Sequence, residues 1–269
     1  MEWWEALLMG ILQGLTEFLP VSSSGHLMIA RDLLGVNPEG FLDFTVTVHF
    51  ATVLSTIIIF RKQIWDILKG VLKFKNNDQM DYFLKLCVSM VPVAVVGLFF
   101  KDKVEAVFAD SLLTVAICLL VTAALLCFSD FFSFKPREGK SARNGISYLQ
   151  AIIVGLGQAI AVAPGLSRSG TTIATGLISG VKRENMAQFS FLMVLVPIIG
   201  EQILSLPDMF SATAASGPGA LALVCGFVGA FVSGLLACSI MVALVRKARL
   251  SWFALYCALV AAAIFIFAR

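Results

Sequence analysis

Apolar residues run along this chain in blocks longer than one face of a soluble helix requires. Six of them, roughly 43 to 60, 84 to 100, 111 to 128, 187 to 205, 218 to 245 and 250 to 268, reach the length at which an α-helix crosses a bilayer, about 17 to 25 residues. Two further apolar regions are interrupted. Residues 1 to 19 and 26 to 36 flank Pro20 and three serines, while 146 to 163 and 171 to 181 flank the stretch from Pro164 to Gly170. The second arm of each is 11 residues, too short to cross. Both regions therefore predict re-entrant helix pairs whose tips sit at mid-membrane depth. The expected fold is all-α and integral to the membrane: six transmembrane helices plus two re-entrant pairs.

The interrupted regions resemble each other. Gln13-Gly14-Leu15-Thr16-Glu17-Phe18-Leu19-Pro20-Val21-Ser22-Ser23-Ser24-Gly25-His26 aligns with Gln158 to Thr171 at an offset of 145, pairing Gln13 with Gln158, Ser22 with Ser167, Ser24 with Ser169 and Gly25 with Gly170. One membrane domain, residues 1 to 269, is thus read as two repeats, approximately 1 to 130 and 146 to 269. If each pair returns to the side it entered from, every repeat crosses an odd number of times, and the second repeat runs inverted. Loop charge orients the chain. With the 61 to 85 loop in the cytoplasm, 15 Lys and Arg residues fall inside and 4 outside, which places both termini outside.

Composition narrows the class. At 59% hydrophobic, 14% charged and a mean hydropathy of +0.91, the chain predicts a membrane protein with membrane lipids around it, and not a soluble domain. The net charge of +3 reflects basic loops and gives no reason to expect nucleic acid. Met1-Glu2-Trp3-Trp4-Glu5 has no basic segment and no small-residue cleavage site, so it reads as retained and interfacial. Six cysteines, all in apolar stretches and never spaced as CxxC, read as small buried hydrophobes. Nothing in the sequence sets an oligomeric state.

The chemistry gathers at the two tips. Arg168 is the one charged residue between Ile146 and Val181. An arginine in hydrocarbon costs about 2.5 to 3.5 kcal/mol on insertion scales, so it should face a polar cavity and something anionic. Ser167, Ser169, Gly170 and Thr172 around it, with a helix restarting at that point, supply hydroxyls and free N–H groups of the kind that cradle phosphate. The first tip offers Glu17 and His26 with Ser22, Ser23, Ser24 and Gly25 between them. A carboxylate orienting a histidine beside a hydroxyl activates a nucleophile or water. A second reading stays open: the serines satisfy backbone freed by the proline breaks, and Arg168 pairs with Glu17 to lock the tips. His49 reads equally as a satisfied core histidine or a cavity-lining one, and Glu201 as an interfacial carboxylate. Small residues along 218 to 245, among them Gly226, Gly229 and Gly234, suit close helix packing.

Gln-Gly-Leu-Thr-Glu-Phe-Leu-Pro-Val-Ser-Ser-Ser-Gly-His and Pro-Gly-Leu-Ser-Arg-Ser-Gly-Thr-Thr resemble the two signature motifs of undecaprenyl-diphosphate phosphatase, the bacitracin-resistance family of bacterial inner-membrane enzymes. Length and segment order agree across the whole chain. The resemblance implies hydrolysis of a polyprenyl diphosphate to the monophosphate carrier with release of inorganic phosphate, recycling the lipid carrier for peptidoglycan synthesis. It also implies a multi-pass protein of the inner membrane, a site opening to the periplasmic side, and a divalent cation, Mg or Ca. By motif position, Glu17 matches the family's glutamate, Ser23 and His26 its catalytic serine and histidine, and Arg168 its phosphate-binding arginine. Ser167, Ser169 and Thr172 match the flanking hydroxyls. Glu17 is the expected metal ligand. Gln13 stands where the pattern allows Glu or Gln, so a second carboxylate is absent. The alternative is a transporter or flippase of an anionic polyprenyl lipid, because broken helices in inverted repeats are also a transporter architecture.

Overall fold

The computed structural model describes residues 1–37, 40–100, 111–132, 143–163, 165–200, 219–247 and 249–267. Pro164, Glu201 and the loop from 206 to 217 lie outside them. Among the described residues there are helices and no strands: α1 (Trp3–Phe18), α2 (Ser23–Leu34), α3 (Phe41–Ile59), α4 (Arg61–Val71), α5 (Asp78–Phe99), α6 (Leu112–Phe131), α7 (Tyr148–Ile160), α8 (Arg168–Ile178), α9 (Arg183–Met193), α10 (Ala220–Lys247) and α11 (Ser251–Phe267). Four are long and apolar enough to cross a membrane: α3, α5, α6 and, within α10, Ala220–Val245. The shorter α11 is apolar over its 17 residues. The block expected at 187 to 205 is α9, a turn at Val194 and further helix from 195 to 200, with the remainder outside the described residues.

Local chemistry sets where the helices stop. Leu19, held extended (φ −73°, ψ 143°) ahead of Pro20, ends α1. Three residues later Ser22 caps α2 by accepting the Gly25 N–H on its hydroxyl. α2 ends on Gly35, whose left-handed φ of 64° suits a residue without Cβ. The second interrupted region repeats the device: α7 begins on a Ser147–Gln150 capping box, and Ser167 caps α8 through Gly170 N–H. The stretch from 61 to 85, expected as loop, instead contains α4 and the start of α5. Asn77 caps α5 by accepting Met80 N–H. In α4, Ile64 and Ile67 pack inward, while Arg61, Lys62, Trp65 and Lys69 stay on the outer side.

Outward faces are apolar to a degree no water-facing surface would be. Val91, Val95 and Leu98 of α5, Val224, Val228 and Val232 of α10, and Leu255 and Leu259 of α11 are all exposed. Inside, α1 packs along α10, α5 along α7, and α6 along α11. Glycine permits two close approaches of helix to backbone carbonyl. A Cβ on Gly10 would stand 2.2 Å from the Gly226 carbonyl oxygen, and one on Gly155 would stand 2.2 Å from the Ser89 carbonyl oxygen. Two polar ties join helix ends. Asp130 accepts from Arg183 and from the Ser251 N–H (2.8 Å), and buried Lys85 donates to Asp81 (2.6 Å) and to the Arg143 carbonyl (2.7 Å).

The glycine contacts give a stability test. Gly10→Ala should lower the thermal unfolding midpoint of the detergent-solubilised protein, because the methyl forces α1 off the α10 backbone at about 1 to 3 kcal/mol. Gly97→Ala, with nothing within 4 Å of its Cβ, should leave the midpoint unchanged or slightly raised. Equal midpoints for the two variants would contradict the packing described.

Candidate active site

The two tips meet. Ser169 of α8 donates its hydroxyl to the Leu19 carbonyl at 3.0 Å, and the Gly165 N–H donates to Ser24 Oγ at 3.3 Å. These reciprocal bonds bring the N-termini of α2 and α8 together, so free first-turn N–H groups of two helices face one region. Glu17, Phe18, Thr52, Arg168, Ser169 and Ser190 are among the residues lining a narrow cavity there.

Glu17 is the hub of that cavity. Its Oε2 accepts from Ser23 Oγ at 2.5 Å and from Gln13 Nε2 at 2.9 Å, and His49 Nε2 lies 3.6 Å away. The Ser23 bond has the length of a charge-assisted O–H···O⁻ bond. Arg168 lines the same cavity but is not ion-paired with Glu17, and no hydrogen bond holds its guanidinium among the described residues. The tips are locked by Ser24 and Ser169, not by an Arg168–Glu17 pair. The guanidinium's five N–H donors are left for something else.

His26 is placed differently from its sequence expectation. The sequence reading pairs it with Ser23 and has Glu17 either orienting it or binding a metal; the structure forms no His26 contact to Ser23 or Glu17. Nδ1 lies 2.8 Å from the Ser22 carbonyl oxygen and Nε2 lies 2.8 Å from the Tyr256 hydroxyl, with the two rings stacked at 5.6 Å. A carbonyl only accepts, so Nδ1 carries the proton and a neutral Nε2 accepts from tyrosine. The reason for the bond to Ser22 is backbone strain. Ser22 has φ of +70°, unusual for a residue with a Cβ and costing about 1 to 3 kcal/mol. The His26 ring and His26 N–H (3.2 Å) both hold its carbonyl, while its hydroxyl caps Gly25.

The expected phosphate-binding hydroxyls carry structural bonds as well. Ser22 and Ser167 are caps, Ser24 and Ser169 tie the tips, and Thr172 Oγ1 meets Ser190 Oγ at 2.6 Å. Gly25 and Gly170 each accommodate the capping serine, whose Oγ would lie 3.1 and 2.9 Å from an added Cβ. Two participants were not assigned by sequence reasoning. Tyr256 lies 230 residues from His26, with no local pattern to mark it. His49 had one signal, an ionisable residue inside an apolar block, which left its role open.

The same residues lie within a recognised family. The family description "Bacitracin resistance protein BacA" matches residues 6–263. A Bacteroides fragilis protein named undecaprenyl-diphosphatase is 51% identical over 261 residues, 97% of this chain and 96% of that protein. One of the same name from Bacteroides thetaiotaomicron is 50% identical over 267 residues, 99% of each chain. Another from Methanobrevibacter smithii is 37% identical over 275 residues, covering 97% and 96%. With a family match over nearly its whole length and relatives at half identity, this chain belongs to the bacitracin resistance protein BacA family.

Proposed function

We infer that the chain is a membrane-embedded undecaprenyl-diphosphatase, hydrolysing the lipid diphosphate to the monophosphate and inorganic phosphate. The observation that carries the chemistry is the 2.5 Å hydrogen bond from Ser23 to the Glu17 carboxylate, beside an arginine that has no ion-pair or hydrogen-bond partner for its guanidinium among the described residues. Ser23 Oγ attacks the terminal phosphorus as its proton passes to Glu17 Oε2. The bond from that phosphorus to the bridging oxygen breaks, and the electron pair leaves with the lipid monophosphate. Glu17 passes that proton to the departing monophosphate; water then attacks the phosphoserine as Glu17 takes the water's proton and hands it to Ser23 Oγ, and phosphate departs with the Ser23 hydroxyl restored. Arg168 and the first-turn N–H groups of α2 and α8 hold the phosphoryl oxygens as charge shifts onto them. His26 keeps Ser22, and through it Ser23, in position.

A divalent cation fits this site. Glu17 supplies a carboxylate, and Gln13 Oε1 is a buried carbonyl oxygen with no hydrogen-bond partner. Held there, the ion would offset the repulsion between Glu17 and the diphosphate.

The finer architecture is also our reading: six crossings, two re-entrant pairs and an inverted repeat in a bacterial inner membrane. Its support is the exchange of partners between halves, α1 with α10 and α7 with α5, each closed over a glycine against a carbonyl. Loop charge supports a tip that carries Glu17 and dips from the periplasmic side.

Phosphate release from a polyprenyl diphosphate by purified protein in detergent tests the activity, since detergent abolishes vectorial transport but leaves hydrolysis measurable. Arg168→Lys should lower turnover tenfold or more, about 1.4 kcal/mol, because lysine keeps the charge but loses the planar fork. Near-wild-type turnover would assign Arg168 a structural role. Ser23→Ala should abolish turnover, and His26→Gln should leave a measurable rate; an acid-stable phosphoserine should be trapped in a rapid quench. An acid-labile phosphohistidine at position 26 would contradict the serine mechanism. For orientation, a cysteine replacing exposed Asn37 in a cysteine-free background should react with an impermeant thiol reagent from outside, and one replacing Asn76 should not. Reversed labelling would overturn the assigned side.

A further inference from the structure

His49 is the ionisable side chain at this site that the reaction above does not use. Its Nδ1 lies 2.8 Å from the Thr45 carbonyl oxygen one turn back on α3. Because a carbonyl only accepts, Nδ1 carries a proton, and a ring protonated there alone would present a lone pair on Nε2. That nitrogen faces Glu17 Oε2 at 3.6 Å, in a pair whose side chains are 18% and 14% exposed. Two electron-pair donors set this way repel unless positive charge lies between them or on one of them. The distance distinguishes the cases. A charge-assisted N–H···O⁻ bond would close to about 2.7 to 2.9 Å. Two donors each about 2.1 Å from one ion can stand up to about 4.2 Å apart, which spans the separation seen. A third donor is carried by the amide that bonds Glu17: Nε2 of Gln13 is fixed on the carboxylate, and its Oε1 is buried without a partner among the described residues.

We infer that Glu17, His49 and Gln13 form the seat of the divalent cation, with His49 Nε2 as a nitrogen ligand. The Thr45 carbonyl orients the ring as backbone carbonyls commonly orient ligating imidazoles. The inference rests on the phosphatase reading of the same site. Among the described residues no group of three or more His, Cys, Asp and Glu comes together. The seat therefore contributes a single negative charge and leaves its other positions to water and phosphate oxygens. A nitrogen donor beside two oxygen donors also widens the seat beyond the Mg or Ca of the family expectation to first-row ions, of which Mn2+, at home with oxygen donors, is the paramagnetic probe.

The chain has only two histidines, His26 and His49, which makes the test direct. Mn2+ bound to the full-length protein in detergent should show imidazole nitrogen couplings in pulsed electron paramagnetic resonance. Labelling wild type with 15N-histidine should convert them to the 15N pattern without any substitution. His26→Gln should retain the couplings, since both ring nitrogens of His26 are engaged elsewhere. His49→Gln should lose them and weaken Mn2+ binding by about tenfold or more. Bound Mn2+ without imidazole coupling in wild type, couplings lost in His26→Gln, or couplings surviving in His49→Gln would each overturn the seat. Phosphate release is measured separately: wild type that hydrolyses lipid diphosphate but shows no coupling sinks this inference alone, whereas intact couplings without hydrolysis support the seat and sink the phosphatase reading.

Discussion

A carboxylate enclosed among apolar helices has to find its hydrogen-bond donors within the protein, and Glu17 organises the first tip of this structure around that need. Its Oε2 draws Gln13 from one turn back on α1 and Ser23 from the first turn of α2. For Ser23 to reach it, the chain must reverse between Phe18 and Ser23. Pro20 stops α1, and Ser22 takes a left-handed backbone angle that a side chain resists. His26 and the Ser22 hydroxyl hold that turn. The residues that a motif groups together thus divide into those that meet at the Glu17 carboxylate and those that keep the turn in shape.

The two interrupted regions solve the same backbone problem and diverge in chemistry. At the offset of 145, Val162 stands where Glu17 stands in the first half, and Thr171 stands where His26 does. Gln158, the counterpart of Gln13, has no acceptor one turn on, and its amide and the Thr171 hydroxyl are buried without partners among the described residues. The second tip keeps the serine cap and the cross-tie and adds Arg168. One tip carries the negative charge and the serine hydroxyl bonded to it, the other the positive charge. Ser24 and Ser169, aligned with each other, bind the tips through nearly reciprocal contacts.

Close helix packing makes that meeting possible. With lipid outside as apolar as the core, association gains little from hydrophobic burial and relies on backbone approach and interhelical hydrogen bonds. Gly10 against Gly226 and Gly155 against Ser89 bring each tip-bearing arm onto a long helix of the other half. Ser233 adds a hydroxyl bond of 3.1 Å to the Ile11 carbonyl across the α1–α10 contact.

Much of this was legible in residue order alone, because its causes are local. Length and unbroken hydropathy marked α3, α5, α6 and α10 as bilayer-crossing, and Pro20 with the serines marked the end of α1 and the cap of α2. Glu17, Ser23 and Arg168 could be named as ionisable or nucleophilic groups at a break in apolar chain. The amphipathic α4 was missed because its short apolar stripe, Ile64 and Ile67, is interleaved with charge and falls below the length that signals a span. Pairing inside the site was beyond reach for a different reason. His26 turns to Tyr256 and away from Ser23, and His49 of α3 turns to Glu17 of α1, because α11 and α3 happen to pass those points in space. Sequence determined which groups had to be satisfied at depth; only the packing of distant helices decided which partner satisfies each one.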